Sequence, residues 1–461
     1  MKEIRTYLPF NYPVDPAKIV IIPDMDLSYA LASTLVEWSP AKQLTSGLAA
    51  TWKISAENAY SFTLRPNAKW SDGSPITSEE IKRSFERDLK KYPEDMRSLA
   101  NMLERIECPN QTTITFYLKM PAAQSTFLQK LTEPNYGILK VQPNGEINLS
   151  VSTGAFYLSS GSHEELILKR NPNWHNFSDG VAEEVIIRRP SLTMDSQSVL
   201  LNDRWPNFIE TSSLLSRDLS HSYESSGYQV WRRPIDKVFL FELGKRMRNS
   251  QGYALLQFLN AHLDRSTLTE GLSGFTVAHQ LFPKGYQLYD LNYQQPKDGE
   301  AGESFKKKLD ILMSPARVPP HLKHNIEIAL KKLGIEANFI SLPLQEAFQR
   351  REVGNFDLYA GTYGIADPDP EGIMSFYFEG TTPVVPSGTI NCVKLLDAAR
   401  RMTDPVQRVA AMRRIVAEAV RDGYVLPLMH LSTVGIGRDG LDFSKVPLSD
   451  ESVTWSKIRF K

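Results

Sequence analysis

The sequence predicts an α/β protein in which helices cover both faces of an open sheet, and it predicts more than one domain. Strand-like and helix-like segments alternate through the second half, the pattern of helix-covered sheets. The length, 461 residues, exceeds what a single hydrophobic core usually organises. Helix-start signals follow strand-like runs at several points.

In the first half, Tyr60, Phe62 and Leu64 alternate with Ser61 and Thr63, a period-two strand pattern. Trp70-Ser71-Asp72-Gly73 supplies a turn. Thr77 and Glu80 then form a T-x-x-E capping box, and Ile81, Phe85 and Leu89 fall on one helical face behind it. Ile114, Phe116 and Leu118 give a second alternating strand.

In the second half, Leu255, Leu256, Leu259 and Leu263 have helical spacing. So do Leu322, Ile326, Leu330 and Leu333, with Gly334 at the place of a C-terminal cap. Strands are expected at 335–339 and 356–360, with a short helix at 346–351 between them. Asp404-Pro405-Val406-Gln407 opens a long helix with a cap and a first-turn proline. It closes near Gly423, and Tyr424 to Met429 reads as a strand. The polar segment 294–303 reads as an exposed loop.

Composition narrows the function. Lys+Arg and Asp+Glu are 53 each, so no basic excess marks nucleic acid or an anionic membrane as partner. No apolar run approaches the roughly 18–20 residues of a membrane span. The N-terminal residues lack the apolar stretch of a secretory signal. Cys108 and Cys392 have neither a CxxC partner nor metal-ligand spacing. They read as unpaired, with a disulfide as the alternative.

Catalytic signatures are missing: the sequence has no H-E-x-x-H, P-loop or G-x-S-x-G. Gly435-Ile436-Gly437-Arg438-Asp439-Gly440 fits G-x-G-x-x-G, but too little chain follows for a βαβ unit. It reads as a strand and turn. His321 and His324 are three apart without a nearby Cys or carboxylate pattern, and read as solvated. Tyr363-Gly364-Ile365-Ala366-Asp367-Pro368-Asp369-Pro370-Glu371-Gly372 follows a strand and carries three acids among prolines. Such a loop either holds an ammonium group or cation, or is an acidic turn with Asp as a local cap.

The order of these pieces resembles the extracellular solute-binding proteins of family 5, whose members bind oligopeptides, dipeptides or nickel complexes for ABC importers. Val14-Asp15-Pro16-Ala17 and Leu31 to Glu37 resemble the family's opening strand and first helix. The segment from Gly47-Leu48-Ala49-Ala50-Thr51-Trp52 through Tyr60 to Arg65-Pro66-Asn67-Ala68-Lys69-Trp70-Ser71-Asp72-Gly73 is the most specific match. Thr153-Gly154-Ala155-Phe156-Tyr157, Arg170-Asn171-Pro172-Asn173-Trp174, Gly354-Asn355-Phe356-Asp357, Asp367-Pro368-Asp369-Pro370 and Leu426-Pro427-Leu428 follow in family order. The chain departs from the pattern where Thr362 or Tyr363 stands for a tryptophan, where the acidic loop is one residue short, and where Ala155 replaces a proline.

The resemblance implies a two-lobed periplasmic-binding-protein fold (type II, cluster C-like) with an extra inserted α+β domain in lobe one. Lobe one would comprise 1–49, 151–240 and 427–461, the insert 50–150, and lobe two 241–426. Val238-Phe239-Leu240-Phe241 and Tyr424 to Met429 would be the crossings. It implies a ligand receptor with no enzymatic activity and no cofactor, monomeric, delivering a peptide or similar solute to the permease subunits of an importer. A sensor using the same domain, or a nickel or metal-chelate binder, are the alternatives. The expected location is periplasmic or extracellular and membrane-anchored, with a signal sequence encoded ahead of residue 1. Asp367, with Asp369 as rival, is the expected partner of a ligand ammonium. Tyr363, Thr362, Tyr29 and Arg350 complete the expected ligand-binding set.

Overall fold

In the computed structural model, the described residues are 2–460 apart from 20–21, 40–42, 94, 120–123, 192–198, 213–216, 273–274, 295–306, 366–369, 380–382, 386–389, 401, 403, 439, 445 and 447–453. The chain forms two compact units. Unit 1 takes Met1–Met194, Val199–Ile209 and Ile436–Lys461; unit 2 takes Asp195–Ser198 and Glu210–Gly435. The expected loop at 294–303 lies almost wholly outside the described residues.

Unit 1 contains two four-stranded sheets among the described residues. In one, Glu3–Tyr7 pairs in parallel with Glu184–Arg188, and Glu165–Arg170 and Phe156–Gly161 extend it antiparallel. The other is antiparallel, in the order Ala49–Ala56, Ala59–Leu64, Thr113–Leu118, Leu103–Asn110. The alternation read from the sequence is the reason: Tyr60, Phe62 and Leu64 are buried while Thr63 is exposed. The helix Ser78–Lys91 lays Ile81 and Phe85 on this core. Both halves of the Thr77/Glu80 capping box form. This core also takes in Ala17, Leu35 and Val36, from ahead of the expected insert.

Residues 14–17 depart from the expected opening strand: they are loop and turn, and the first strand is Glu3–Tyr7. Pro13 and Pro16 cannot donate to a ladder. Asp15 instead pairs with Arg87 and accepts a 2.6 Å hydrogen bond from the Tyr92 hydroxyl.

Unit 2 is built on a mixed sheet in the order Phe208–Ser212, Val425–Gly437, Gln229–Leu243, Leu358–Gly364, Lys308–Met313, Glu336–Ser341. Lys308–Met313 is parallel to both its neighbours, and Gln229–Leu243 is antiparallel to Leu358–Gly364. Helices cover both faces, as the alternating pattern required. One core gathers Phe239, Phe241, Leu358 and Ala360 under the helices Ser250–His262 and Pro320–Lys331. The other gathers Val238, Leu240, Tyr359 and Tyr363 under Leu344–Val353, Pro370–Phe378, Ile390–Arg400 and Pro405–Arg421. Burying each such large side chain contributes about 1.5–3 kcal/mol. Asp404 caps the last helix by accepting from the N–H groups of Val406 and Gln407.

The unit boundaries fall within Phe208–Ser212 and Val425–Gly437. The expected crossings at 240/241 and 426/427 fall inside continuous strands of unit 2's sheet, Gln229–Leu243 and Val425–Gly437. The G-x-G-x-x-G segment ends that second strand, and Leu441–Asp442 follows as strand, without the helix a dinucleotide needs. No disulfide joins Cys108, half-buried in unit 1, to Cys392, buried in unit 2. No helix among the described residues is long and apolar enough to cross a membrane.

Candidate functional site

In open α/β sheets ligands gather beyond the carboxyl ends of the parallel strands. Among the described residues unit 2 has three such strands side by side, with Lys308–Met313 between Glu336–Ser341 and Leu358–Gly364, in register with the latter at Ile311 with Leu358 and at Leu312 with Tyr359. Ser314 follows Lys308–Met313 directly and is 1% exposed. The chain then turns, with the Arg317 N–H donating to the Ser314 carbonyl at 2.9 Å. Thr362 and Tyr363 lie near the end of Leu358–Gly364.

Ser314 Oγ, Thr362 Oγ1 and the Tyr363 hydroxyl are all buried without a hydrogen-bond partner. Leaving such a group unsatisfied costs about 1–3 kcal/mol each. Most buried polar atoms in folded proteins are paired, so each of these three stands out, although Thr362 and Tyr363, consecutive on one strand, face opposite sides of the sheet. Beside them Arg317 is half-buried. Desolvation pulls its guanidinium below the ordinary arginine value, and attraction to Tyr359 and Glu210 only partly offsets this.

Beneath these groups the sheet face is fixed by an ion pair. Strand register sets Glu242 opposite Tyr359 and Val238 opposite Tyr363. Arg351 meets Glu242 through Nη2 at 2.7 Å and Nε at 3.0 Å, with side chains 9% and 1% exposed. Burial pushes the Glu242 carboxyl up and Arg351 pulls it back. The same guanidinium lies 5.8 Å from the Tyr359 ring centroid and 5.7 Å from that of Tyr363. Burial first, then the Glu242 charge, raises the Tyr359 hydroxyl to about 12. Gly361 separates the two rings: a Cβ there would lie 2.6 Å from Tyr359 Cε1 and 2.8 Å from Tyr363 Cε2, so only glycine fits.

The expected site residues distribute as follows. Thr362 and Tyr363 stand together at the end of Leu358–Gly364. Arg350 is half-buried in the helix Leu344–Val353, but its neighbour Arg351 is the one held against the tyrosines. Tyr29 is half-buried in the helix Ile22–Leu31 of unit 1. Asp367 and Asp369 lie outside the described residues. Sequence reasoning missed Ser314, Arg317 and Glu242. A turn with an arginine directly after a strand was the available signal for Arg317, and the i+4 spacing from buried Ala347 was the signal for Arg351 over Arg350.

Two other charged clusters pair within themselves, though Arg87 Nε stays without a partner among the described residues. In unit 1 Arg87 bridges Asp15 and Asp88. In unit 2 Arg246 bridges Asp310 and Asp357. Among the described residues no group of three or more His, Cys, Asp or Glu is placed to hold a metal ion. His324 is exposed, as expected; His321 is half-buried.

Known proteins share this fold. Residues 43–192 match the model of the bacterial extracellular solute-binding proteins, family 5 Middle. The chain is 24% identical over 449 residues to a protein of Escherichia coli (strain K12) described as the probable D,D-dipeptide-binding periplasmic protein DdpA, covering 86% of this chain and 82% of that one. The fold is similar to that of the dipeptide binding protein from Pseudoalteromonas sp. SM9913 in complex with Met-Leu, with a TM-score of 0.84, 14% identity and full coverage of both chains. It is equally similar to NikA from Brucella suis in complex with Fe(III)-EDTA, with a TM-score of 0.83, 17% identity and full coverage of both. The two-lobed periplasmic-binding-protein fold expected from the sequence is therefore the fold of this chain.

Proposed function

We propose that this chain, an extracellular solute-binding protein of family 5, is the ligand receptor of an ABC importer that captures a peptide or similar small solute and hands it to the membrane permease. The observation that carries the reading is the group of buried, unpartnered hydroxyls at the carboxyl ends of Lys308–Met313 and Leu358–Gly364, in a fold whose relatives bind peptides. A solute supplying a hydrogen bond to Ser314, Thr362 or Tyr363 would relieve a desolvated group. Capture would proceed by hinge closure, the motion characteristic of periplasmic binding proteins. The chain would act outside the cytoplasmic membrane, as a monomer and without turnover.

Within this reading Asp367 takes the ligand's α-ammonium, with Asp369, two residues on, as the rival. Prolines at 368 and 370 restrict that backbone before a ligand arrives. Tyr363 and Thr362 sit just ahead of this loop in sequence, and Tyr29 and Arg350 are the remaining proposed contacts.

Two measurements test the receptor reading. At a ligand concentration 100 times its dissociation constant, bound protein should be stabilised by about 2.7 kcal/mol. Small-angle scattering should show a smaller radius of gyration with ligand than without. An unchanged radius at saturation, or chemical conversion of the ligand, would refute it.

A further inference from the structure

We propose that unit 1 carries a proton-sensitive latch: Asp15 and Asp88 share one guanidinium, that of Arg87, and a proton taken up by Asp88 tightens the hold of residues 14–18 on the helix Ser78–Lys91. The inference goes beyond the receptor reading and does not depend on it. Arg87 Nη1 donates to Asp15 Oδ1 at 3.0 Å and to Asp88 Oδ1 at 2.6 Å, while Nη2 pairs with Asp15 Oδ2. The three side chains are 14% exposed or less. Asp15 has further support: the Tyr92 hydroxyl donates to it at 2.6 Å, and Lys91 Nζ lies 3.4 Å away. Among the described residues the Asp88 carboxyl has no ion pair or hydrogen bond besides that with Arg87 Nη1. The strands Leu103–Asn110 and Leu139–Val141 pack on the same helix, and their charges are engaged elsewhere. Lys140 pairs with Glu80, and Arg105 with Glu104 and Glu107. Lys91 also reaches Glu146, and Asp95 lies in the field of Lys18.

Two buried carboxylates on one guanidinium cannot both keep a full counter-charge, so a proton goes to the one with fewer partners. Burial pushes the Asp88 carboxyl up to about 7, with Arg87 pulling it down and the Asp15 charge adding to the rise. Burial works to raise Asp15 as well, but bonds from Arg87 and Tyr92 hold it below the ordinary carboxylate value. Neutral Asp88 leaves Arg87 to Asp15 alone. Ionised Asp88 draws on the same nitrogen and repels Asp15. Asp15 in turn anchors its segment. Its carboxylate accepts from the Ala17 N–H at 3.3 Å, and its carbonyl from the Lys18 N–H at 3.0 Å. Ala17 is buried in the core of the unit, and the Ser28 hydroxyl, on the helix Ile22–Leu31, donates to the Pro16 carbonyl at 2.6 Å. The folded Asp88 carboxyl binds its proton more tightly than an exposed one, whose value is 3.8. The latch is therefore firmest in acid, and its hold is lost as pH rises from 3.8 toward 7.

The test uses the full chain as wild type, Asp88→Asn and Asp15→Asn. Carbon-13 NMR of the carboxyl groups should show one aspartate titrating near pH 7 in the wild type and none there in Asp88→Asn. In Asp15→Asn, where Arg87 serves Asp88 alone, that titration should move down by about one pH unit or more. Hydrogen exchange at the Ala17 and Lys18 amides, corrected for intrinsic rates, gives the second readout. In the wild type, protection should fall as pH rises from about 5 to 7, by up to roughly ten-fold per pH unit, and level off above. In Asp88→Asn it should stay level throughout. Wild-type carboxyls that all titrate below about pH 5 overturn the latch. So does an unmoved titration in Asp15→Asn, or an exchange profile that Asp88→Asn leaves unchanged. Should a variant fail to fold, the wild type decides alone: a titration near pH 7 with a parallel loss of protection supports the latch, and one without the other overturns it.

Discussion

Arg351 and Arg317 both lie near Tyr359 and have opposite fates. Arg351 reaches in from the helix Leu344–Val353, lies over the rings of Tyr359 and Tyr363, and is neutralised by Glu242. Arg317 stands in the turn after Lys308–Met313 with no side-chain partner, and burial works against its charge. A buried charge with its own counter-ion is part of the scaffold, because removing either partner leaves the other uncompensated. A covered charge without one weakens the empty protein and becomes useful only when something else supplies the partner. The difference separates what holds the site from what the site offers.

The largest effect should follow from breaking the satisfied pair. Glu242→Ala strands the Arg351 charge against two tyrosines and should destabilise the protein by about 3–5 kcal/mol in urea unfolding. A loss below 1 kcal/mol would erase the distinction drawn between the two arginines.

A second experiment extends the comparison to a group that burial keeps neutral. His430 is buried, and its Nε2–H donates to the Gln280 and Leu281 carbonyls at 3.0 and 3.2 Å. Burial lowers its pKa to about 4 from the ordinary 6.5. The unfolded chain therefore binds the proton more tightly, and stability should be lost as pH falls from 6.5 toward 4. The slope should reach up to about 1.4 kcal/mol per pH unit. His430→Gln should flatten that part of the pH–stability curve. An equal slope in variant and wild type would mean that His430 is not the group responsible.

The third concerns binding at the acidic loop. Asp367→Asn should weaken a peptide with a free N-terminus about ten-fold, or roughly 1.4 kcal/mol, in calorimetry. N-acetylation of the peptide should hurt the wild type and hardly affect the variant. If Asp369→Asn shows the effect instead, the missing residue in this loop has moved the role by two positions. If neither does, the loop is not the ammonium site.

The smallest expected change is the sharpest test of the opening contrast. Arg317→Gln, measured without ligand, should alter stability by no more than about 0.5 kcal/mol, or raise it, since it removes a charge that nothing pairs. A loss of several kcal/mol would place Arg317 with Arg351 among the scaffold charges.

Local pattern was legible wherever one side of an element meets a core. Tyr60, Phe62 and Leu64 declared their strand by alternation, and Asp404 and Thr77 declared helix starts because a cap needs only its own neighbours. The strand expected at Val14 to Ala17 does not form, because the prolines there cannot join a ladder and Asp15 pairs with Arg87, 72 residues away. In the site, Thr362 and Tyr363 were legible because they end a strand. Ser314 was not, because a serine after a strand is ordinary until its hydroxyl proves unpaired.

The sequence by itself determined the α/β class, the helix-covered sheet and the resemblance to the solute-binding proteins. Those properties depend on periodicity, caps and the order of segments along the chain. Only the tertiary structure decided which charges are spent and which remain. Glu242 and Arg351 are 109 residues apart, and their ion pair exists because Gln229–Leu243 and Leu358–Gly364 pair in one register and one helix lies across them. Arg317 is left without an ion pair by that same packing, which brings it near Tyr359 and lets Glu210 act on it only through its charge.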